Sequence, residues 1–322
     1  MNLTQIIERT RDILGEHQTQ SQEWSDPALL RHLNAGLDEM WRKGQQADEQ
    51  WGLDYALLSD FNTTITEFGI DRIKIQFNEP PLGRIKRIEE TNGTYPDTEI
   101  PCVDLQFVDQ EVSAWPNLIY NKRSWWPGAN NRIMFMRKTG QTLAPANVRL
   151  WFERKPPHMV RFTVVAGKHT SDKTLVVNAI TGATADPVSN AKMGTISTIK
   201  GYYNNASIEC VSNAGNSPQG LGFMVTTWAA ATYPEFTMTI EPSDGFVADP
   251  GVSTTWEVCP YWPEEHHELV AALGARNALL IGNDFEGKKA VDIYAGTALQ
   301  QFIEVIENRQ YQSGRRVRFT EE

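Results

Sequence analysis

Cysteine is scarce and poorly placed for cross-linking. Cys102, Cys210 and Cys259 are the only three in 322 residues. An odd, widely separated set makes neither a disulfide framework nor the paired spacing of a metal site, so the expected state is buried, reduced thiols in a reducing compartment. Long apolar runs are missing as well, and no stretch approaches the roughly 18 residues of a membrane span. The opening MNLTQIIERTRDIL carries a charge every few residues, unlike the uninterrupted apolar stretch of a signal peptide. These absences predict a soluble protein folded in the cytoplasm, with no membrane partner. The spacings Gly-x-Ser-x-Gly and His-Glu-x-x-His do not occur either, which removes the hydrolases and zinc enzymes they define. Positive charge is in deficit, with 30 Lys and Arg against 40 Asp and Glu, a net charge of −10. A protein that grips nucleic acid over its whole surface needs cations to neutralise phosphates, so that class is excluded. A surface past which DNA slides without sticking is favoured by the same sign.

What is present is ordinary for a globular protein: 40% apolar and 22% charged residues, enough for substantial cores. Two amphipathic helices open the chain. Leu3, Ile6, Ile7, Thr10, Ile13 and Leu14 recur at three- and four-residue steps and end at Gly15, a natural stop. Ser25 or Asp26 then caps a second helix with Pro27 in its first turn and an apolar stripe of Leu29, Leu30, Leu33, Leu37, Met40 and Trp41. From 54 to 157 the texture changes to strands, at DRIKIQF, GRIKRIEE, NRIMFMR and NVRLWFERK. A short helix is expected near Val103–Val112, and 121–131 reads as a turn-rich connection with Trp125 and Trp126 over a small core. Residues 158–258 read as a separate antiparallel unit, sandwich-like, with strands in VRFTVVAG, KTLVVNA, MGTISTIKGYY, ASIECVS, LGFMVTTW, FTMTIEP and TTWEVCP.

Helix returns at the end. A first helix starts at Pro263 with Leu269, Val270, Leu273 and Leu280 on one side. A second carries Val291, Tyr294, Ala298, Leu299, Phe302, Val305 and Ile306. The expected fold class is α+β: a bundle of the N- and C-terminal helix pairs, a β region, and an inserted all-β domain. The segments are 1–53, 54–157, 158–258, 259–308 and a basic arm, 309–322.

Three stretches invite a chemical reading. GNDFEGKK at 282–289 has the Gly-x-x-x-x-Gly-Lys spacing of a phosphate-binding loop. Lys289 stands where Ser or Thr would hold magnesium, Asp284 and Glu286 put negative charge in the cradle, and the preceding segment is helical, so a joint between helices is expected. EEHHE at 264–268 places Glu264 and His267 one helical step apart, as in a di-iron bundle, but the following helix offers no second His. An exposed acidic helical turn is the expected structure, with no cofactor and no metal. The third stretch is NRQYQSGRRVRFT at 308–320. Arg309, Arg315, Arg316 and Arg318, with Val317 and Phe319 as apolar anchors, make either a solvated terminus or an arm that reaches an acidic partner or DNA.

The order of LTQIIERTRDILGE, SDPALLRHLNAGLDEMW, a strand ending in WFERKPP, and the final PEEHHELVAALGARNALLIGNDFEGKKAVDIYAGTALQQF resembles the head-to-tail adaptors (connector or neck proteins) of tailed bacteriophages, the short-tailed type in particular. The resemblance spans about two-thirds of the chain and departs from the simpler adaptors in the block of about 100 residues between Pro157 and Pro260. It implies a non-enzymatic virion protein assembled in the host cytoplasm. It also implies a dodecameric ring docked on the portal protein, with genomic DNA passing through unread and the tail's nozzle or tube proteins attached below. The segment Arg309–Phe319 would then contact the portal, and the helices would supply subunit interfaces. Two other classes stay open at this point. One is a carbohydrate- or receptor-binding tail component using the Trp- and Thr-rich 158–258 segment. The other is an enzyme, for which His266, His267 and Lys288 are the candidates.

Overall fold

The computed structural model describes residues 1–16, 24–48, 51–57, 63–67, 70–76, 82–91, 98–102, 124–128, 132–138, 148–165, 174–186, 189–198, 201–212, 222–241, 254–260, 264–282 and 284–316. These form a mixed α+β protein with a pair of α-helices toward each end and antiparallel sheets between them. The chain divides into two compact units, Gly52–Lys155 and the combination of Met1–Trp51 with Pro156–Glu322. The strands of 158–258, expected as a separate insert, are thus grouped with the helices, and the segment that stands apart is the earlier β region. Val103–Val112, expected as a short helix, lies outside the described residues.

Gly52–Lys155 contains eight strands: β1 (Leu53–Leu57), β2 (Thr63–Glu67), β3 (Ile70–Gln76), β4 (Leu82–Glu90), β5 (Thr98–Ile100), β6 (Ser124–Gly128), β7 (Arg132–Lys138) and β8 (Val148–Arg154). They pair as two sheets, β1-β8-β4-β5 and β2-β3-β7-β6. In the first sheet Ile88, Ile100, Val148, Leu150 and Phe152 are buried, the alternation that a half-buried antiparallel strand requires. On the opposite face the Arg87 and Arg149 guanidinium carbons lie 4.8 and 6.0 Å from the Trp151 ring centre. The Trp151 indole N–H donates to Glu89 at 2.6 Å. SWWPG, expected as a turn, is strand β6. Trp125 is buried there, and its ring N–H donates to the Ile100 carbonyl at 2.9 Å.

The other unit is built on the terminal helices. Helix α1 (Leu3–Leu14) opens with a reciprocal cap: the Asn2 side chain accepts from the Gln5 N–H, and the Gln5 side chain accepts from the Asn2 N–H, each at 2.9 Å. It stops at Gly15 with φ 74, where the amides of Gly15 and Glu16 return to the carbonyls of Asp12 and Arg11. That closure needs a left-handed residue, which glycine supplies without strain. Helix α2 (Asp26–Ala47) starts after Ser25 and buries the whole expected stripe, Leu29 to Trp41. A single 3₁₀ turn, Glu264–His266, leads into α3 (His267–Ile281), and α4 (Phe285–Arg316) follows.

Helix α3 is the centre of this unit, packed on α1, α2 and α4. Leu269, Val270, Ala271, Ala272, Leu273, Ala275 and Ala278 are all buried. The expected one-sided stripe is therefore too narrow at its N-terminal end, and Leu280, which it included, is 47% exposed. Small residues allow the close approach. A Cβ on Gly36 would lie 2.9 Å from the Leu273 Cβ and 3.2 Å from the Gly274 nitrogen.

Six strands complete the unit: β9 (Arg161–Thr163), β10 (Thr174–Asn178), β11 (Ser207–Ser212), β12 (Gly222–Thr232), β13 (Glu235–Glu241) and β14 (Thr255–Val258). They form one antiparallel sheet in the order β10-β13-β12-β11-β14-β9. Among the described residues they are one sheet, where a sandwich-like unit was expected. The described part of MGTISTIKGYY is loop and turn. Buried positions alternate along β13. Trp228 stacks on Phe236 with ring centres 4.9 Å apart at 13°, and Tyr203 meets Trp228 edge-on at 5.1 Å.

Candidate functional site

Described charged side chains draw together at several places, among them two in the helix-containing unit, where α1 meets β14 and where it meets α3. The first joins α1 to the sheet. Glu257 on β14 is fully buried. Its carboxylate accepts from the Thr4 amide (3.0 Å), the Thr4 hydroxyl (2.7 Å) and Arg161 Nε (2.8 Å). Asn2 donates to Glu209 on the neighbouring strand at 2.8 Å. Buried charge persists only when paired and hydrogen-bonded, and each oxygen of this carboxylate accepts at least one hydrogen bond. Nearby, burial followed by the charges of Glu209 and Glu257 pushes the Cys259 thiol up to about 12. Cys210 is also buried, and Cys102, against expectation, is exposed. Asn34 of α2 adds a second tie, its side chain accepting from the Met159 amide at 2.8 Å and donating to the Met159 carbonyl at 3.1 Å.

The second place is a groove of about 490 Å³ beside α4, lined by Glu265, His266, Glu268, Tyr294, Phe302 and Val305 among others. Glu268 Oε1 accepts from Arg9 Nε (2.8 Å), Arg9 Nη2 (2.5 Å) and the Tyr294 hydroxyl (2.6 Å). The Arg9 hydrogen bonds hold the Glu268 carboxyl below the usual carboxylate range. The carboxylate in turn raises Tyr294 and Arg9. The cluster ties α1, α3 and α4 together through a single carboxylate oxygen.

Beside the groove α4 has two unlike sides. Val291, Ala295, Phe302 and Ile306 are buried, at steps of four, seven and four residues. Turned away from them, Ile293 is 74% exposed, Tyr294 41% and Val305 37%, with Leu280 and Ile281 exposed at the end of α3. Tyr294 and Val305, expected on the buried stripe, lie on its flanks because a 3.6-residue period places them about 70° and 50° from the line through Val291 and Phe302. Ile293 belongs to no buried series, and an isoleucine off the stripe of a helix is the signal that marked this surface in the sequence.

The residues singled out in the sequence fall as follows. Arg309, Arg315 and Arg316 are in the final turns of α4, so the expected arm begins as helix, and Val317, Arg318 and Phe319 lie outside the described residues. The 282–289 stretch is a joint. Gly282 caps α3 through its amide to the Ala278 carbonyl. Asp284 Oδ1 accepts from the Gly287 amide at 2.9 Å to open α4. A Cβ on Gly287 would lie 2.5 Å from that carboxylate, so this glycine makes room for a cap. Lys288 is 3.7 Å from Asp292. The EEHHE turn departs from its expected exposure. Glu265 is exposed but His266 and His267 are buried, His266 edge-on to Phe302 at 5.0 Å and His267 Nδ1 3.0 Å from the Met1 nitrogen. Trp228 and Trp256, in the segment that could bind carbohydrate, are buried, and so is Trp125. Among the described residues no group of three or more His, Cys, Asp or Glu side chains is placed to hold a metal, and no helix is long and apolar enough to cross a membrane. No protein-family model matches the chain, and no curated protein is significantly similar to it.

Proposed function

We propose that the protein is a structural virion component, a ring-forming head-to-tail adaptor of a tailed bacteriophage. In this reading it docks on the portal, continues the DNA channel and offers the platform on which tail proteins attach. The observation that carries the reading is helix α4. One side is in the core, the other exposes Ile293, Tyr294 and Val305, and the same helix runs on into Arg309, Arg315 and Arg316. Exposed apolar side chains on the outer side and flanks of a long helix suit a neighbouring subunit in a ring, and a basic end suits an acidic partner such as a portal groove.

The order of helix pair, strands and helix pair supports the same reading, as does the fixed-charge cluster at Glu268, which organises three helices. The finer arrangement belongs to this proposal: helices as the ring body, and the 158–258 strands toward the tail or the capsid exterior. The net charge of −10 favours a lumen from which phosphates slide. Electron-microscope imaging of the protein mixed with portal-containing heads is expected to show a ring stacked beneath the portal. Bare portals at saturating protein would overturn the reading.

A further inference from the structure

Helix α4 outruns the core it helps to build. Its last described buried side chain is Ile306, and the helix continues for ten more residues to Arg316, about 15 Å further. Beyond it Val317, Arg318 and Phe319 alternate apolar with basic. From Arg309 to Thr320 the sequence carries four arginines and no acid.

The groove beside α4 has the complementary character. Leu269 and Phe302 are buried in its floor, Ala298 is half-buried, and Val305 is exposed at its edge. Glu265 stands over this floor with its side chain 62% exposed, 3.5 Å from His266 Nε2. Glu304 is exposed one helical turn from Gln301, on the same flank of α4. The charge of the third carboxylate, Glu268, is offset by Arg9. Lys288 and Lys289 lie about 120° and 140° round the helix from Tyr294, away from the groove. Glu265 and Glu304 therefore leave the described surface of the groove negative around an apolar floor. Its volume of about 490 Å³ falls within the roughly 300–1,000 Å³ of sites that enclose a ligand.

The arm and the groove of one chain cannot meet. Val305, the last groove residue on α4, lies 11 residues before Arg316, about 17 Å along the helix axis. Three extended residues carry Phe319 back by only about 10 Å, short of Val305 and far short of Tyr294.

We propose that the arm Val317–Phe319 of one copy occupies the α4 groove of another. In an extended segment Val317 and Phe319 share one side and meet the apolar floor, while Arg318 turns toward the rim and Glu265. The apolar pair supplies the buried centre, and the charges set orientation. Arm and groove are different surfaces, so the contact is heterologous. Each copy gives an arm and receives one, and the series closes into a ring where the rotation allows. The proposal rests on the ring reading, names its seam, and leaves Arg309 on α4 to the portal.

The test uses the full-length protein. A fluorescent peptide of residues 315–322 is expected to bind dilute protein in low salt by anisotropy. Phe319→Ala in the peptide, and separately Glu265→Arg or Val305→Arg in the protein, are each expected to weaken binding more than tenfold. Arg318→Glu in the peptide is expected to recover binding to the Glu265→Arg protein. Circular dichroism and thermal melts confirm that each protein variant is folded. The seam itself is read by placing a photo-crosslinking benzoylphenylalanine at position 319 in a mixture of isotope-labelled and unlabelled chains. The expected product joins position 319 of one chain to groove residues of the other. No peptide binding at millimolar protein, binding indifferent to the groove variants, or a cross-link that is intrachain or outside the groove would overturn the proposal. So would peptide retention by duplex DNA but not by the protein, which would make the arm a nucleic-acid contact. The seam and the adaptor reading fail separately. A groove cross-link without head binding removes the adaptor and keeps the seam; head binding with no groove cross-link does the opposite.

Discussion

Arg9, Glu268 and Tyr294 come from three helices and meet on a single carboxylate oxygen. Because the Arg9 hydrogen bonds lower the Glu268 pKa from its ordinary 4.5, the folded state binds its proton later than the unfolded state does. The contribution is therefore fully present above about pH 4.5 and is lost as pH falls through the depressed folded value. Glu268 is 35% exposed and Arg9 42% at the side chain, so solvent screening limits the gain to about 1 kcal/mol. Glu268→Gln is expected to lower stability by that amount at pH 7 in urea melts, with the gap to wild type closing toward pH 3. A gap independent of pH would show that the carboxylate charge is not what matters. The fully buried Glu257 is a different case, since its loss would leave the Thr4 amide and Arg161 Nε without their acceptor. Neither cluster was legible in the sequence. Thr4 and Glu257 are separated by 253 residues and Arg9 and Glu268 by 259, and an isolated Thr, Arg or Glu has no spacing that announces a partner.

Elements were legible to the extent that their burial is one-sided. Helix α2 presents its period, its Pro27 start and its full stripe because only one face is covered. Helix α3 is buried nearly all round at its N-terminal half, so periodicity understated it. Strand β6 was hidden by Pro127 and Gly128, turn residues that occur here in a paired strand. What the periodicity of α2 does not reveal is why Gly36 interrupts it. The crowding that a Cβ would meet from Leu273 explains it as the point of closest approach between α2 and α3. Gly36→Val is expected to cost about 1–3 kcal/mol through overpacking against backbone. Gly296→Ala on α4, where a Cβ meets nothing within 4 Å, is expected to gain about 0.5–1 kcal/mol by helix propensity. Denaturant midpoints of the pair check both signs at once, and a stabilised Gly36→Val would contradict the close packing.

At the scale of the molecule, the helix-containing unit closes around residues from both ends of the sequence, and its last described buried side chain is Ile306. Removing residues 309–322 is accordingly expected to leave the melting temperature within about 2 °C of wild type, since no described core contact is lost. The truncated protein is expected to lose its joining to portal-containing heads. Normal head joining would assign the portal contact elsewhere. The unit boundary was only partly legible. The change of texture near residue 54 and the strand ending in WFERKPP were visible, but nothing local indicates that the later strands return to α1 through Glu257 and to α2 through Asn34.

That return has a cost in time. Helices α1 and α2 leave the ribosome with Leu29, Leu33 and Leu37 bare, and the helix that covers them begins only at His267. At roughly 5–20 residues per second, the wait is on the order of ten to forty seconds. During it the nascent chain carries an uncovered apolar stripe, while Gly52–Lys155, contiguous in sequence, has every contact of its own unit within reach.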